Sequence, residues 1–169
     1  IQGQYPEVEF LLPMVETVSQ ADIKEEVSNY NININLLSGY SYAVMSAADI
    51  ILAASGTATL ESACLETPMV IAYQTSWSTY LLGKLLVNLP YVGLPNIILE
   101  AEVVPELLQR EVTADNLARE ALQLLEDEAK YQATEEKLAR VKEELGAAGA
   151  VKRVAELVLT TGGIDYGTG

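Results

Sequence analysis

Ser55, Gly56, Thr57, Thr59 and Glu61 are the residues whose types and spacing best suit ligand chemistry. They follow an apolar run, Asp49-Ile50-Ile51-Leu52-Ala53-Ala54, and open a segment that reads as a helix from Thr57 to Leu65. A helix start beyond a strand presents backbone N–H groups with no intrahelical partner and a partial positive charge, which suits a phosphate. Gly56 lets the backbone approach a ligand closely, and the flanking hydroxyls can donate hydrogen bonds. Glu61 lies about one turn beyond Thr57, where a carboxylate can accept both hydroxyls of a ribose. The same residues also suit a plain helix cap, so a Ser-Gly-Thr turn alone leaves both readings open.

Two further side chains are candidates. Asn96 sits in an apolar loop bounded by prolines, where an unpaired amide is expensive; it either meets a ligand or bonds the loop backbone as a turn residue. Gln109 closes a short expected helix and either contacts a ligand or faces solvent.

Composition removes several classes of chemistry. The 169 residues contain no histidine, so a serine–histidine or cysteine–histidine triad is excluded within the chain. The single cysteine, Cys64, permits neither an intrachain disulfide nor a thiolate cluster, and reads as a small buried hydrophobe in a reducing, cytoplasmic setting. A net charge of −14 argues against nucleic acid as a partner and against an anionic membrane as an electrostatic one.

These residues need elements to hold them. Apolar runs at Val8–Pro13, Ile32–Leu37, Asp49–Ala54 and Pro68–Tyr73 read as strands, the third as a strand buried on both faces. Helices are expected over Ser19–Tyr30, with Ser19 as N-cap, and over Ser41–Ala47, Thr57–Leu65 and Trp77–Val87. Pro90–Leu99 reads as a loop. Beyond Glu102 the texture becomes helical: Val104–Gln109, Asp115–Glu126, Lys130–Leu145 and Val151–Leu159. Strand followed by helix, four times over, predicts an α/β fold with a parallel sheet. The expected organisation is a partial Rossmann-like domain over residues 1–126, C-terminal helices over 127–159 and a loose tail over 160–169. The apolar run from Trp77 to Leu99 suits core packing, or contact with acyl chains or lipid.

Four blocks, taken together, are more specific than the turn alone. Ala53-Ala54-Ser55-Gly56-Thr57-Ala58-Thr59-Leu60-Glu61, Pro68-Met69-Val70, Tyr91-Val92-Gly93-Leu94-Pro95-Asn96 and Val104-Pro105-Glu106-Leu107-Leu108-Gln109 resemble the lipid-A-disaccharide synthase family in order and spacing. The resemblance runs from about Pro6 to Leu159. It implies half of an inverting GT-B-type glycosyltransferase that moves 2,3-diacylglucosamine from UDP to 2,3-diacylglucosamine 1-phosphate in lipid A biosynthesis, at the cytoplasmic face of the inner membrane. It implies no metal or other cofactor. Its partners would be UDP-diacylglucosamine or another UDP-sugar, a lipid acceptor, peripheral membrane contact and a second copy through the C-terminal helices.

By that resemblance Ser55, Gly56, Thr57 and Thr59 surround the diphosphate, Glu61 the ribose, and Asn96 and Gln109 contact the donor. Catalytic residues would lie in an amino-terminal half that this chain lacks, and the chain by itself is expected to be inactive. Where the family usually has glycine-arginine after the Leu-Pro-Asn block, this sequence has Leu99-Glu100-Ala101, and Gln74 replaces a usual basic residue. Fewer cations leave open a UDP-sugar transferase or epimerase of different specificity, or a non-catalytic assembly module.

Overall fold

The computed structural model describes residues 1–15, 18–77, 80, 90–146 and 149–161. The expected Trp77–Val87 helix and the tail beyond Thr161 fall largely or wholly outside them. Parallel strands alternate with helices, giving the expected α/β class. The first pair, β1 (Phe10–Met14) and β2 (Ile34–Ser38), is joined through α1 (Gln20–Ser28). Ser19 caps α1 as its sequence suggests, accepting from the Asp22 N–H. After α2 (Ser41–Ala47) come β3 (Ile51–Ala54), α3 (Thr57–Cys64) and β4 (Met69–Tyr73). The chain continues through α4 (Leu94–Leu99), β5 (Glu106–Leu108), a 3-10 turn (Gln109–Glu111), α5 (Ala114–Glu126), α6 (Glu128–Glu144) and α7 (Ala150–Thr161).

The strands form two parallel sheets, β1-β2 and β3-β4-β5. β4 is the centre of the second, and its side chains alternate between two cores. Met69 and Ile71 pack with Ala63, Val103, Val104, Leu138 and Val141 on one face. Val70 packs with Leu107, Ala121 and Leu124 on the other. Each of the larger of these side chains contributes roughly 1.5–3 kcal/mol by leaving water, so this α/β/α sandwich anchors the elements packed on it. Leu138 and Val141 belong to α6, so that helix shares a core with the sheet across the 126/127 division drawn from the sequence. Asp127 ends α5 and caps α6, accepting from the Lys130 N–H.

Three expectations are corrected. β3 is not buried on both faces: Leu52 is 48% exposed, because β3 pairs only with β4 among the described residues. Leu94–Leu99 is a helix rather than loop; Pro95 stands in its first turn, where a fixed φ and a missing N–H do no harm. Glu106–Leu108 is a strand rather than the tail of a helix. The edge of β4 captures it, with the Ile71 N–H donating to the Pro105 carbonyl at 2.9 Å. Pro105 gives up no ladder bond at that edge position. An apolar run this short suits either element by pattern alone, and the open edge decides.

Candidate nucleotide-sugar site

The carboxyl ends of β3, β4 and β5 lie side by side, and in open parallel sheets that edge is where ligands bind. β3 runs into Ser55, whose N–H donates to the Ala72 carbonyl of β4 at 3.0 Å. The chain then turns at Gly56, with φ 153° and ψ −166°, a region essentially restricted to glycine. A Cβ there would meet nothing within 4 Å, so backbone conformation, not crowding, demands the glycine, and the turn is open to a ligand. No side chain caps α3; the Thr59 N–H donates to the Gly56 carbonyl at 3.1 Å, and among the described residues the N–H groups of Thr57 and Ala58 at its start have no partner.

The seven sequence candidates separate by how their hydrogen bonds are used. Thr59 is fully buried, and its hydroxyl donates back to the Gly56 carbonyl at 2.7 Å; it holds the turn. The Ser55 hydroxyl donates to the Val92 carbonyl at a long 3.5 Å. Thr57 is exposed at the start of α3, and Glu61 is half-buried one turn along. The Glu61 carboxylate makes no hydrogen bond or ion pair among the described residues. Cys64, at the other end of α3, is half-buried and free.

Asn96 is fully buried and saturated by protein. Its Nδ2 donates to the Val104 carbonyl at 2.9 Å and to Glu106 Oε1 at 2.8 Å, and its Oδ1 accepts from the N–H groups of Val103 and Val104 at 2.8 and 3.0 Å. An amide has two donors and two acceptor lone pairs, and all four are matched.

Gln109 behaves in the opposite way. It does not face solvent: it is 6% exposed and adopts a left-handed φ of 52°. Its Oε1 accepts from the Thr75 N–H at 3.2 Å, which sets the amide against the loop leaving β4. Its Nε2 is buried without a partner among the described residues. An unmatched buried donor costs about 1–3 kcal/mol, and backbone strain of this kind gathers at functional sites.

Two residues at this edge had no role in the sequence reading. Glu106 on β5 accepts from the N–H groups of Val92 and Gly93 at 2.9 and 2.8 Å as well as from Asn96. A charge inside the apolar segment Val103-Val104-Pro105-Glu106-Leu107-Leu108 was the signal for it, since a carboxylate there needs partners. Arg110 stacks over Trp77, its guanidinium carbon 5.3 Å from the ring centroid, so a cation does stand next to Gln109. Two hollows elsewhere on the described surface, between α1 and β2 and beside α5, touch none of these residues.

Comparison with known sequences decides the family. Residues 1–160 match the lipid-A-disaccharide synthetase family. The chain belongs to it. Among its relatives, the lipid-A-disaccharide synthase of Nitrosococcus oceani is 36% identical over 159 residues, covering 94% of this chain and 41% of the relative. That of Geobacter sulfurreducens is 38% identical over the same lengths. The Solibacter usitatus protein of the same name is 42% identical over 149 residues, 88% of this chain and 39% of its own. The chain therefore spans about two-fifths of the relatives it matches. No helix among the described residues is long and apolar enough to cross a membrane.

Proposed function

We propose that this chain supplies the UDP-sugar site of a lipid-A-disaccharide synthase, with chemistry completed by residues outside it. In this reading the α3 start at Ser55-Gly56-Thr57 takes the diphosphate, Glu61 takes the ribose, and the Gln109 amide donates to the donor from the end of β5. Asn96 and Thr59 shape the site rather than touch the ligand, since their polar atoms are already matched. The observation that carries the reading is the buried, unpartnered Gln109 Nε2 at the same sheet edge as the uncapped α3: free donors at a parallel sheet's carboxyl end suit an anion. The whole enzyme would move 2,3-diacylglucosamine from UDP to 2,3-diacylglucosamine 1-phosphate, working in the cytoplasm and peripherally at the inner membrane.

Calorimetry with UDP tests this on the intact protein that carries the sequence. Glu61→Ala should weaken binding by about 1–3 kcal/mol through loss of charge-assisted bonds to the ribose. An unchanged affinity removes Glu61 from the site. Comparison of UDP-sugars tests a different donor specificity, a reading favoured by Gln74 standing where a cation is usual. The homodimer rests on α7, whose Val154, Leu157 and Val158 are 59–66% exposed. Sedimentation with and without residues 149–169 should show a dimer only when they are present; monomers in both cases would dispose of it.

A further inference from the structure

Glu106 touches none of the groups assigned to the donor, yet it holds the Val92–Gly93 turn and Asn96 beside them. Its two carboxylate oxygens collect three N–H donors: the backbone of Val92, the backbone of Gly93 and the Asn96 amide. Gly93 fits there because it lacks a side chain. A Cβ at that position would lie 2.3 Å from Ile71 Cδ1 and 2.9 Å from Glu106 Oε1. The carboxylate, the central strand and the turn are thus packed without slack.

One of the three bonds reaches the site. The Gly93 N–H and the Val92 carbonyl are opposite ends of a single planar peptide unit. Glu106 Oε1 holds the N–H end at 2.8 Å. The carbonyl end accepts a long, weak hydrogen bond of 3.5 Å from the Ser55 hydroxyl, one residue before the open turn at Gly56. Rotating that peptide plane would take the carbonyl away from Ser55. We infer that Glu106 is a positioning residue for the UDP-sugar site, acting through the Val92–Gly93 peptide to fix where the Ser55 hydroxyl stands. The inference rests on the functional reading above.

Glu106→Gln is the informative substitution. It keeps the shape but has one acceptor oxygen, and its NH₂ would face a donor, so at least one of the three N–H groups loses its partner. UDP affinity of the intact protein should fall about tenfold, the worth of one such bond, and thermal stability should fall with it. Glu106→Asp, which retains the charge on a shorter stem, should recover part of the affinity and supplies the measurement if the glutamine variant does not fold.

The decisive readout is a double-mutant cycle with Ser55→Ala. If Glu106 acts through Ser55, either Glu106 variant should weaken UDP binding little further in the Ser55→Ala background, while its stability loss persists. Affinity losses that simply add, or wild-type affinity in both Glu106 variants, would overturn the proposal while leaving the UDP-sugar reading intact. Absence of UDP binding by the unmutated protein would overturn that reading and this proposal together.

Discussion

Asn96→Ala should destabilise the protein severely without any ligand present. The side chain is fully buried, and its removal strips partners from four places at once. The N–H groups of Val103 and Val104 lose their acceptor, the Val104 carbonyl loses a donor, and Glu106 retains only its two backbone bonds. Each buried group left unpaired costs about 1–3 kcal/mol, and the losses overlap because two N–H groups share one oxygen. The sum is roughly 3–5 kcal/mol, with cavity formation included. A domain of this size has only about 5–15 kcal/mol in hand. Urea unfolding followed by circular dichroism measures the change, read from the midpoint at constant slope. Asn96→Asp sharpens the test. It keeps the Oδ1 acceptor but sets a second oxygen against the Val104 carbonyl and the Glu106 carboxylate, so at neutral pH it should cost at least as much as alanine. A loss below about 1 kcal/mol for Asn96→Ala would refute the network; a tolerated aspartate would refute the amide orientation on which it depends.

Two further outcomes follow from local geometry. Glu100 ends α4 with a left-handed φ of 49°, a conformation that penalises a Cβ by roughly 1–2 kcal/mol, so Glu100→Gly should raise stability by up to about 1 kcal/mol, glycine's unfolded-state entropy offsetting part of the gain; a lower unfolding midpoint would contradict this. The Tyr131 hydroxyl donates to the Asp49 carbonyl at 3.0 Å, and burial, then the charges of Glu135 and Asp49, raise its pKa above the ordinary 10.0. A raised folded pKa means that the unfolded chain ionises first, so the stabilisation is fully present below pH 10 and disappears as pH climbs through the higher folded value. Tyr131→Phe should therefore cost about 0.5–1.5 kcal/mol at neutral pH, and its difference from the unmutated protein should shrink on the alkaline side; a difference independent of pH would show that the phenol contributes only packing.

The helices and strands legible in the sequence were those whose signals are local. Ser19 announces α1 because a serine before an apolar-periodic run can cap it, and it does. The segments that misled are those decided by distant partners. Val104–Gln109 carries an apolar pattern compatible with either element, and only the free edge of β4 makes Glu106–Leu108 a strand. Pro90–Leu99 reads as loop because two prolines and a glycine punctuate it, although Pro95 occupies the one helical turn that tolerates it. The burial of β3 could not be read from Ile51 and Leu52, since it depends on a neighbour for its outer edge. At the candidate site, Ser55, Gly56 and Gln109 stand out by type, but whether a polar atom is free or already matched is a property of three-dimensional partners.

That difference gives the chain's polar residues a division of labour that spacing cannot express. Asn96 and Gln109 are both buried carboxamides near the carboxyl edge of one sheet, and both belong to segments shared with the same family. In Asn96 four of four hydrogen-bonding positions meet protein atoms, so it ties α4 to the Val103–Val104 backbone and to Glu106 and keeps no position for a ligand. In Gln109 one end is anchored on Thr75 and the other presents a buried donor to no protein acceptor, held by a backbone in a left-handed conformation that a glutamine adopts at a cost. A strained backbone and an unmatched donor are both unfavourable to the free protein. An acceptor arriving from outside, such as the oxygen of a nucleotide sugar, would satisfy the donor, and only binding would then offset what folding leaves uncompensated. By the same logic Glu106, though charged, is a poor candidate for direct contact: its oxygens already face three donors, and an anionic ligand would be repelled by it.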